Sequence, residues 1–322
     1  MTSKKNYLIK KKLPALIKIC RPEYFIKQIF CVAGIIIALL LAPKNIFNSS
    51  IVFLAFISAV LSSSANYVIN EWCDRVTDSF HPTKKFRPIP SGLLNKLEVC
   101  ILYIFLCISP LLISIFLIKS KIISFLIILI LINGILYNKK PIRLKDKVFL
   151  DVFSESINNP LRFSIGWISS SYAYPPISLI IGIWLIGYFL MNCKRICEIR
   201  DWNSSEGEIG DYRISLSKYT FNNLVLVSFI SALSAITSIT VFLTIYRIEL
   251  CLITPFIILS MAQYLRIALS SNSKVIISNP SYILKDKLIF FSLLIILILG
   301  PLALAVDIPL LQNILSSGML SL

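Results

Sequence analysis

Apolar residues come in long unbroken runs separated by short polar stretches, not in the one-sided stripes that cover a soluble core. Runs of about 20 apolar residues match the hydrocarbon thickness of a bilayer. Nine spans are expected, at about 24–43, 51–72, 98–118, 121–138, 148–170, 175–195, 221–244, 250–270 and 288–306. The fold class is therefore all-α, a multi-pass transmembrane helical bundle. Residues 1–23 read as a basic cytoplasmic arm, too long and too charged for a cleavable signal peptide and suited to anionic lipid. Residues 24–306 hold the transmembrane domain, and 307–322 form a short tail.

Composition agrees with this pattern: 57% of residues are hydrophobic and 15% charged, where a soluble protein carries about 25% charge. The net charge of +16 is informative through its placement. With the N-terminus in the cytoplasm, the inside segments are 1–23, 73–97, 139–147, 196–220 and 271–287, and they and the adjoining span ends hold nearly all lysines and arginines. The outside loops hold only Lys44, Lys119, Lys121 and Arg247. That asymmetry is the positive-inside pattern of a cell (inner) membrane protein, with the tail outside. No basic stripe interleaves with aromatics, so nucleic acid is not an expected partner. The eight cysteines form no CxxC pair, and Cys193 and Cys197 stand one helical turn apart, so they read as small core residues.

Two inside loops, 73–97 and 196–220, are long and polar, and the second holds Asp201, Glu206, Glu208 and Asp211. The working surface is therefore expected to face the cytoplasm. The two loops lie four spans apart, which hints at a pseudo-duplication with one polar loop per half.

Four constellations carry candidate chemistry. Asn70, Glu71, Asp74 and Asp78 recur at helical spacing where the second span meets the surface. Oxygen ligands in that arrangement suit Mg²⁺, with Glu71, Asp74 and Asp78 as metal ligands and Asn70 beside them. The bland alternative is a solvated helix end. His81-Pro82-Thr83-Lys84-Lys85-Phe86-Arg87-Pro88 follows, and Lys84, Lys85 and Arg87 suit phosphate while His81 orders the loop. His81 is the only histidine, which excludes a histidine metal site or a Ser-His-Asp triad. In the third, Lys194, Arg195, Glu198 and Asp201 close one span and Arg213 and Tyr219 open the next. That mixed face suits phosphates and sugar hydroxyls, or is merely an ion-pair ladder. The fourth is a polar stripe inside the fifth span: Asp151, Glu155, Asn158 and Arg162, with Asn159 beside it and Pro160 expected to kink the helix. Ionisable groups at membrane depth are functional candidates by default, although an Asp–Arg or Glu–Arg pair can simply tie helices together.

The acidic motif with nine spans resembles the UbiA-type polyprenyl transferase superfamily. The nearer resemblance is to its decaprenyl-phosphate phosphoribosyltransferase branch. It is carried by His81 through Gly92, by Leu136-Tyr137-Asn138 at the end of the fourth span, by Asp151 ahead of Leu161-Arg162, by Lys194-Arg195-Ile196-Cys197-Glu198, and by Arg213 with Leu216 and Tyr219. The elements fall in order, and the resemblance runs from about residue 15 to 305.

The resemblance implies a transmembrane catalytic domain that moves 5-phosphoribose from phosphoribosyl pyrophosphate to a polyprenyl phosphate, with Mg²⁺ as cofactor. Asn70, Asp74 and Asp78 would be catalytic. Lys84, Lys85, Arg87, His81, Tyr137, Asp151, Arg162, Lys194, Arg195, Glu198 and Arg213 would bind substrate. Glu71 stands where the family usually has Asp, and Ser79 where the branch often has Arg. Asn158-Asn159-Pro160 replaces a small, glycine-containing stretch, and Glu155 is unusual there. These departures bear on the lipid acceptor or sugar donor more than on the reaction class. The alternative enzyme is a prenyltransferase of the wider superfamily, in which the same aspartates hold a prenyl diphosphate. A transporter is disfavoured, because glycine-rich breaks in paired spans are missing from a chain with ten glycines. A membrane homo-oligomer is compatible with the pattern, and no motif demands one.

Overall fold

The apolar runs fold as helices in the computed structural model, which describes residues 12–41, 48–80, 84–171, 173–200, 209–270 and 285–309. The helices are α1 (12–19), α2 (Ile29–Leu41), α3 (Ser49–Phe80), α4 (Lys96–Leu112), α5 (Lys121–Asn138), α6 (Leu150–Ser156) and α7 (Asn158–Ser170). They continue as α8 (Ile177–Arg200), the four-residue α9 (Ile209–Tyr212), α10 (Phe221–Tyr246), α11 (Thr254–Leu269) and α12 (Lys287–Ala305). The described residues contain no strand. The chain divides into two compact units, Met1–Pro175 and Pro176–Leu322, and each carries one of the two long polar loops.

Eight helical stretches among the described residues are long and apolar enough to cross a membrane. The ninth expected span, 148–170, is broken into α6 and α7 at Ile157. The cause is local. Asn158 Nδ2 bonds back to the carbonyls of Ser154 and Glu155, both at 3.3 Å, and so takes up acceptors at the end of α6. Pro160 then falls in the first turn of α7, where a missing N–H costs nothing. It opens a helix there and does not kink one. The second span also differs from expectation. α3 continues to Phe80, past the expected end at 72, so the acidic motif rides on a continuous helix.

In the first unit α3 packs on α4, α5 and α7, and α2 lies along α7. The α2–α7 contact is nearly backbone to backbone. A Cβ on Gly34 would sit 2.1 Å from the Phe163 carbonyl oxygen, and one on Gly166 would sit 2.0 Å from that of Cys31. Small residues permit such approach where apolar lipid offers helices no hydrophobic drive to associate. The α3–α5 contact uses the same device at Gly134, and Asn66 Nδ2 donates to the Ile130 carbonyl at 3.0 Å. Buried serines of α3 are satisfied one turn back: Ser58 donates to Leu54 at 2.8 Å and Ser63 to Ala59 at 2.7 Å. Outward positions of α4 such as Leu97, Ile101 and Phe105 are exposed apolar groups, as a lipid-covered face requires.

In the second unit α8 packs on α10, with Gly182 against Ile239. Phe189 stacks on Tyr264 with ring centres 5.8 Å apart, in a core with Cys193, Cys197 and Ala235. Arg200 Nη1 donates to the Ala268 carbonyl at 2.5 Å and closes the end of α11. Asp286 caps α12 by accepting the Ile289 N–H at 3.0 Å.

Candidate active site

The cytoplasm-predicted end of α3 presents Asn70, Asp74, Asp78 and Glu71 across an arc of about 100°, since each residue advances the helix by that angle. The arc has two edges. Asn70 and Asp74 face the end of α5 and the turn after it. Asn70 Nδ2 donates to Asn138 Oδ1 at 2.6 Å, and Asn138 Nδ2 donates to the Gly134 carbonyl at 2.9 Å. Asp74 Oδ1 accepts from Arg143 Nη2 at 3.1 Å and forms an ion pair with Lys145. Lys145 is only 7% exposed, and its ammonium also reaches Asn138 Oδ1 at 3.4 Å. Burial pushes the Lys145 ammonium below the ordinary lysine value, and the Asp74 carboxylate pulls against that shift.

Asp78 and Glu71 form the other edge, against the turn at residues 84–94. Asp78 Oδ2 pairs with Arg87 Nη1 at 2.5 Å. Glu71 is 1% exposed, and its Oε1 accepts the backbone N–H of Ile89 at 3.0 Å. Its Oε2 lies 3.9 Å from Arg21 Nη2, and the Arg21 guanidinium sits 5.7 Å from the ring centres of both Tyr24 and Tyr67. The turn is internally ordered. Arg87 N–H bonds the Lys84 carbonyl and Ser91 N–H the Arg87 carbonyl, both at 3.0 Å, and Gly92 supplies the left-handed φ of 74°. Lys85 is exposed beside Phe86. Glu71 thus fastens the backbone of this turn, and Arg87 returns to the same helix.

The structure brings Asn70, Glu71, Asp74, Asp78 and Arg87 together in the first unit. His81 lies outside the described residues. Tyr137 is half-buried on the last turn of α5, and the bond to α3 is made by its neighbour Asn138. Asp151 is fully buried in the first turn of α6, where a carboxylate is favoured by the helix dipole. Arg162 is 5% exposed and donates through Nε to Ser63 Oγ at 3.1 Å.

In the second unit Arg195 is fully buried and bonds Glu198 Oε2 at 2.6 Å. Lys194 and Arg213 also act on Glu198, and Arg213 Nε donates to Ser215 Oγ at 3.1 Å. The expected ladder from Lys194 to Asp201 is not described in full, because Asp201 lies outside the described residues. Within the described part Glu198 takes its hydrogen bond from Arg195, one turn earlier.

Arg143, Lys145, Asn138 and Arg21 were not singled out by sequence reasoning as site residues. Their signal was available in part: the segment 139–147 is densely basic and faces an acidic helix end.

No three His, Cys, Asp or Glu side chains among the described residues gather into a metal cage. Mg²⁺ does not require one. It takes one or two carboxylates together with waters and substrate phosphates. Asp74, half-buried, and Asp78, buried beside Arg87, are hard oxygen donors one turn apart on α3 and fit an ion that arrives with a pyrophosphate. Glu71, buried on a backbone N–H, supports the neighbouring turn.

Comparison with known proteins bears on the family and the fold. The model of the UbiA prenyltransferase family matches residues 30–278. A decaprenyl-phosphate phosphoribosyltransferase of Corynebacterium glutamicum is 33% identical over 95 residues, which are 29% of this chain and 28% of that protein. A 4-hydroxybenzoate octaprenyltransferase of Vibrio atlanticus is 32% identical over 71 residues, 22% of this chain and 25% of that protein. The chain thus matches less than a third of the length of these curated relatives. Among solved structures, a UbiA homolog from Archaeoglobus fulgidus bound to GPP and Mg²⁺ superposes with a TM-score of 0.69 at 18% identity, covering 91% of this chain and all of that one. At that identity the likeness speaks for the fold.

Proposed function

The chain belongs to the UbiA prenyltransferase family, and from that membership we propose that it transfers 5-phosphoribose from phosphoribosyl pyrophosphate to a polyprenyl phosphate. The observation that carries this reading is the meeting of Arg87, Arg143 and Lys145 with Asp78 and Asp74 at one helix end. A donor with a 5-phosphate and a pyrophosphate presents more anionic oxygens than a prenyl diphosphate, and cations of this density match it. The likeness to the Corynebacterium glutamicum protein supports the same choice.

In the reaction an oxygen of the lipid phosphate attacks C1 of the ribose. The C1–O bond to pyrophosphate breaks, and pyrophosphate leaves with the bonding electrons. The acceptor is already ionised, so no general base is needed, which suits a chain with one histidine. Asp74 and Asp78 would hold Mg²⁺, which would neutralise the charge growing on the leaving group. Arg143 and Lys145, which pair with Asp74, present N–H groups suited to the phosphate oxygens of the donor. Arg87 does the same from Asp78. Glu71 keeps Arg87 in reach by fastening Ile89. Lys84 and Lys85 raise the local concentration of anionic donor at the surface. Asn138 orients Asn70 beside the metal edge. In the second unit Lys194, Arg195, Glu198 and Arg213 bind phosphate and sugar hydroxyls. The density of lysine and arginine in alternate loops supports a cytoplasmic face for this chemistry.

A second reading, transfer of a prenyl group from a prenyl diphosphate to an aromatic or other acceptor, is favoured by the likeness to the Vibrio atlanticus protein. Pyrophosphate release by the purified protein separates the two. Release that requires both phosphoribosyl pyrophosphate and a lipid phosphate, and is lost in Asp74→Ala, supports phosphoribosyl transfer. Release from a prenyl diphosphate alone with an aromatic acceptor supports the second reading.

A further inference from the structure

A second polar cluster lies deeper in the first unit. Lys27, in the 3₁₀ segment Pro22–Gln28, pairs with Glu155 of α6 at 3.2 Å. Arg162 of α7 donates to Ser63 Oγ at 3.1 Å and to Asn159 Oδ1 at 3.4 Å. Gln28 Nε2 also reaches Ser63 Oγ, at 3.0 Å. The ionisable groups acting on Lys27 are Tyr67, Glu155 and Arg162; those acting on Arg162 are Tyr67, Cys31 and Glu155. Glu155 is the one carboxylate among them. Two cations against one carboxylate leave positive charge in a low-dielectric setting, which is costly until an anion joins it.

The cluster is aligned with the candidate active site. Ser63, Tyr67, Asn70 and Asp74 follow each other at four, three and four residues, so they form one stripe on α3. Ser63 precedes Asp74 by eleven residues, close to three turns and about 16 Å along the axis. A pyrophosphate and ribose extending inward from the acidic motif would bring C1 toward this level.

We infer that Lys27 and Arg162 seat the phosphate of the lipid acceptor, with Glu155 as a resident counter-ion that the phosphate displaces. The inference rests on the phosphoribosyl-transfer reading for the identity of the lipid and on the cluster itself for the anion. A phosphate monoester carries close to two negative charges at neutral pH and accepts several hydrogen bonds, so it matches two cations better than Glu155 does.

The test is binding of a long-chain polyprenyl phosphate to the full-length protein in lipid nanodiscs, without donor or metal, beside the neutral polyprenol of the same length. Lys27→Gln and Arg162→Gln each weaken binding of the phosphate by about tenfold or more and leave the polyprenol unchanged, whereas Arg162→Lys stays within about threefold of wild type. Glu155→Gln tightens phosphate binding by about threefold or more, because a competing charge is gone. A merely structural ion pair predicts instead that all three Gln variants lose binding of both lipids. In turnover Lys27→Gln and Arg162→Gln raise the KM for the lipid phosphate and leave that for phosphoribosyl pyrophosphate in place. Unchanged phosphate binding in the Lys27 and Arg162 variants, loss in Glu155→Gln, or a rise in donor KM alone overturns the inference. If the binding pattern holds but no phosphoribose moves, the reaction reading fails and the anion seat stands. If transfer proceeds with an unaltered lipid KM in every variant, the seat fails and the reaction stands.

Discussion

Glu71→Gln separates a turn anchor from a metal ligand at the acidic motif. The carboxylate is 1% exposed and accepts the Ile89 N–H at 3.0 Å, with Arg21 at 3.9 Å. An amide oxygen can still accept from Ile89, so the loss is the difference between a charge-assisted and a neutral hydrogen bond plus a weak ion contact, about 1–2 kcal/mol. Glu71→Ala leaves the Ile89 N–H unmade and Arg21 without its carboxylate, and the expected cost rises to about 3–5 kcal/mol. Thermal unfolding of the detergent-solubilised protein reads these losses as two graded shifts. Mg²⁺ titration of activity reads the other half. Glu71→Gln keeps the half-saturating Mg²⁺ within about twofold of wild type, whereas Asp74→Asn raises it by about tenfold or more, or about 1.4 kcal/mol. The reasoning is refuted if Glu71→Gln shifts the Mg²⁺ requirement as far as Asp74→Asn while stability stays at the wild-type value.

Gly34→Ala places a Cβ 2.1 Å from the Phe163 carbonyl oxygen, and the forced separation of α2 and α7 lowers stability by about 1–3 kcal/mol, measured as a drop in unfolding temperature. Lys145→Ala removes a buried cation from Asp74 and is expected to lower kcat/KM for the phosphorylated donor by about tenfold or more while sparing the lipid KM, which steady-state kinetics in both substrates will show. Arg195→Met leaves the Glu198 carboxylate without its 2.6 Å partner and destabilises the second unit by about 3–5 kcal/mol. Arg195→Met with Glu198→Leu recovers part of that loss, and equal stability of the single and double variants would contradict the pairing.

The membrane character of the fold was legible, because hydrophobic thickness leaves the same mark wherever a helix crosses a bilayer. Eight helical stretches among the described residues overlie expected spans, although the first begins at Lys12 and the second runs to Phe80. α3 ran past its expected end because charged residues at a membrane surface look alike whether the helix stops or continues into water. The break at Ile157 was hidden by the polar stripe, since Glu155 and Asn158 keep helical spacing across it. The acidic half of the candidate site was visible as spacing along one helix. Of its basic half, Arg87 was visible beside the motif, but Arg143 and Lys145 were not, because they meet Asp74 only after α5 returns the chain to that level, and in the sequence they are two more cations in a basic loop. Gly34 and Gly166 gave no sign either: a glycine in an apolar run carries no record of the backbone that approaches it.

Donor identity is the central claim, and transfer of label tests it most directly. The purified protein in membranes receives Mg²⁺, a long-chain polyprenyl phosphate and phosphoribosyl pyrophosphate labelled in the ribose, with Asp74→Ala alongside. The account predicts label in the lipid phase that is lost in the variant. No label with any lipid phosphate, together with turnover of a prenyl diphosphate, would contradict it and assign the same aspartates to a prenyl donor.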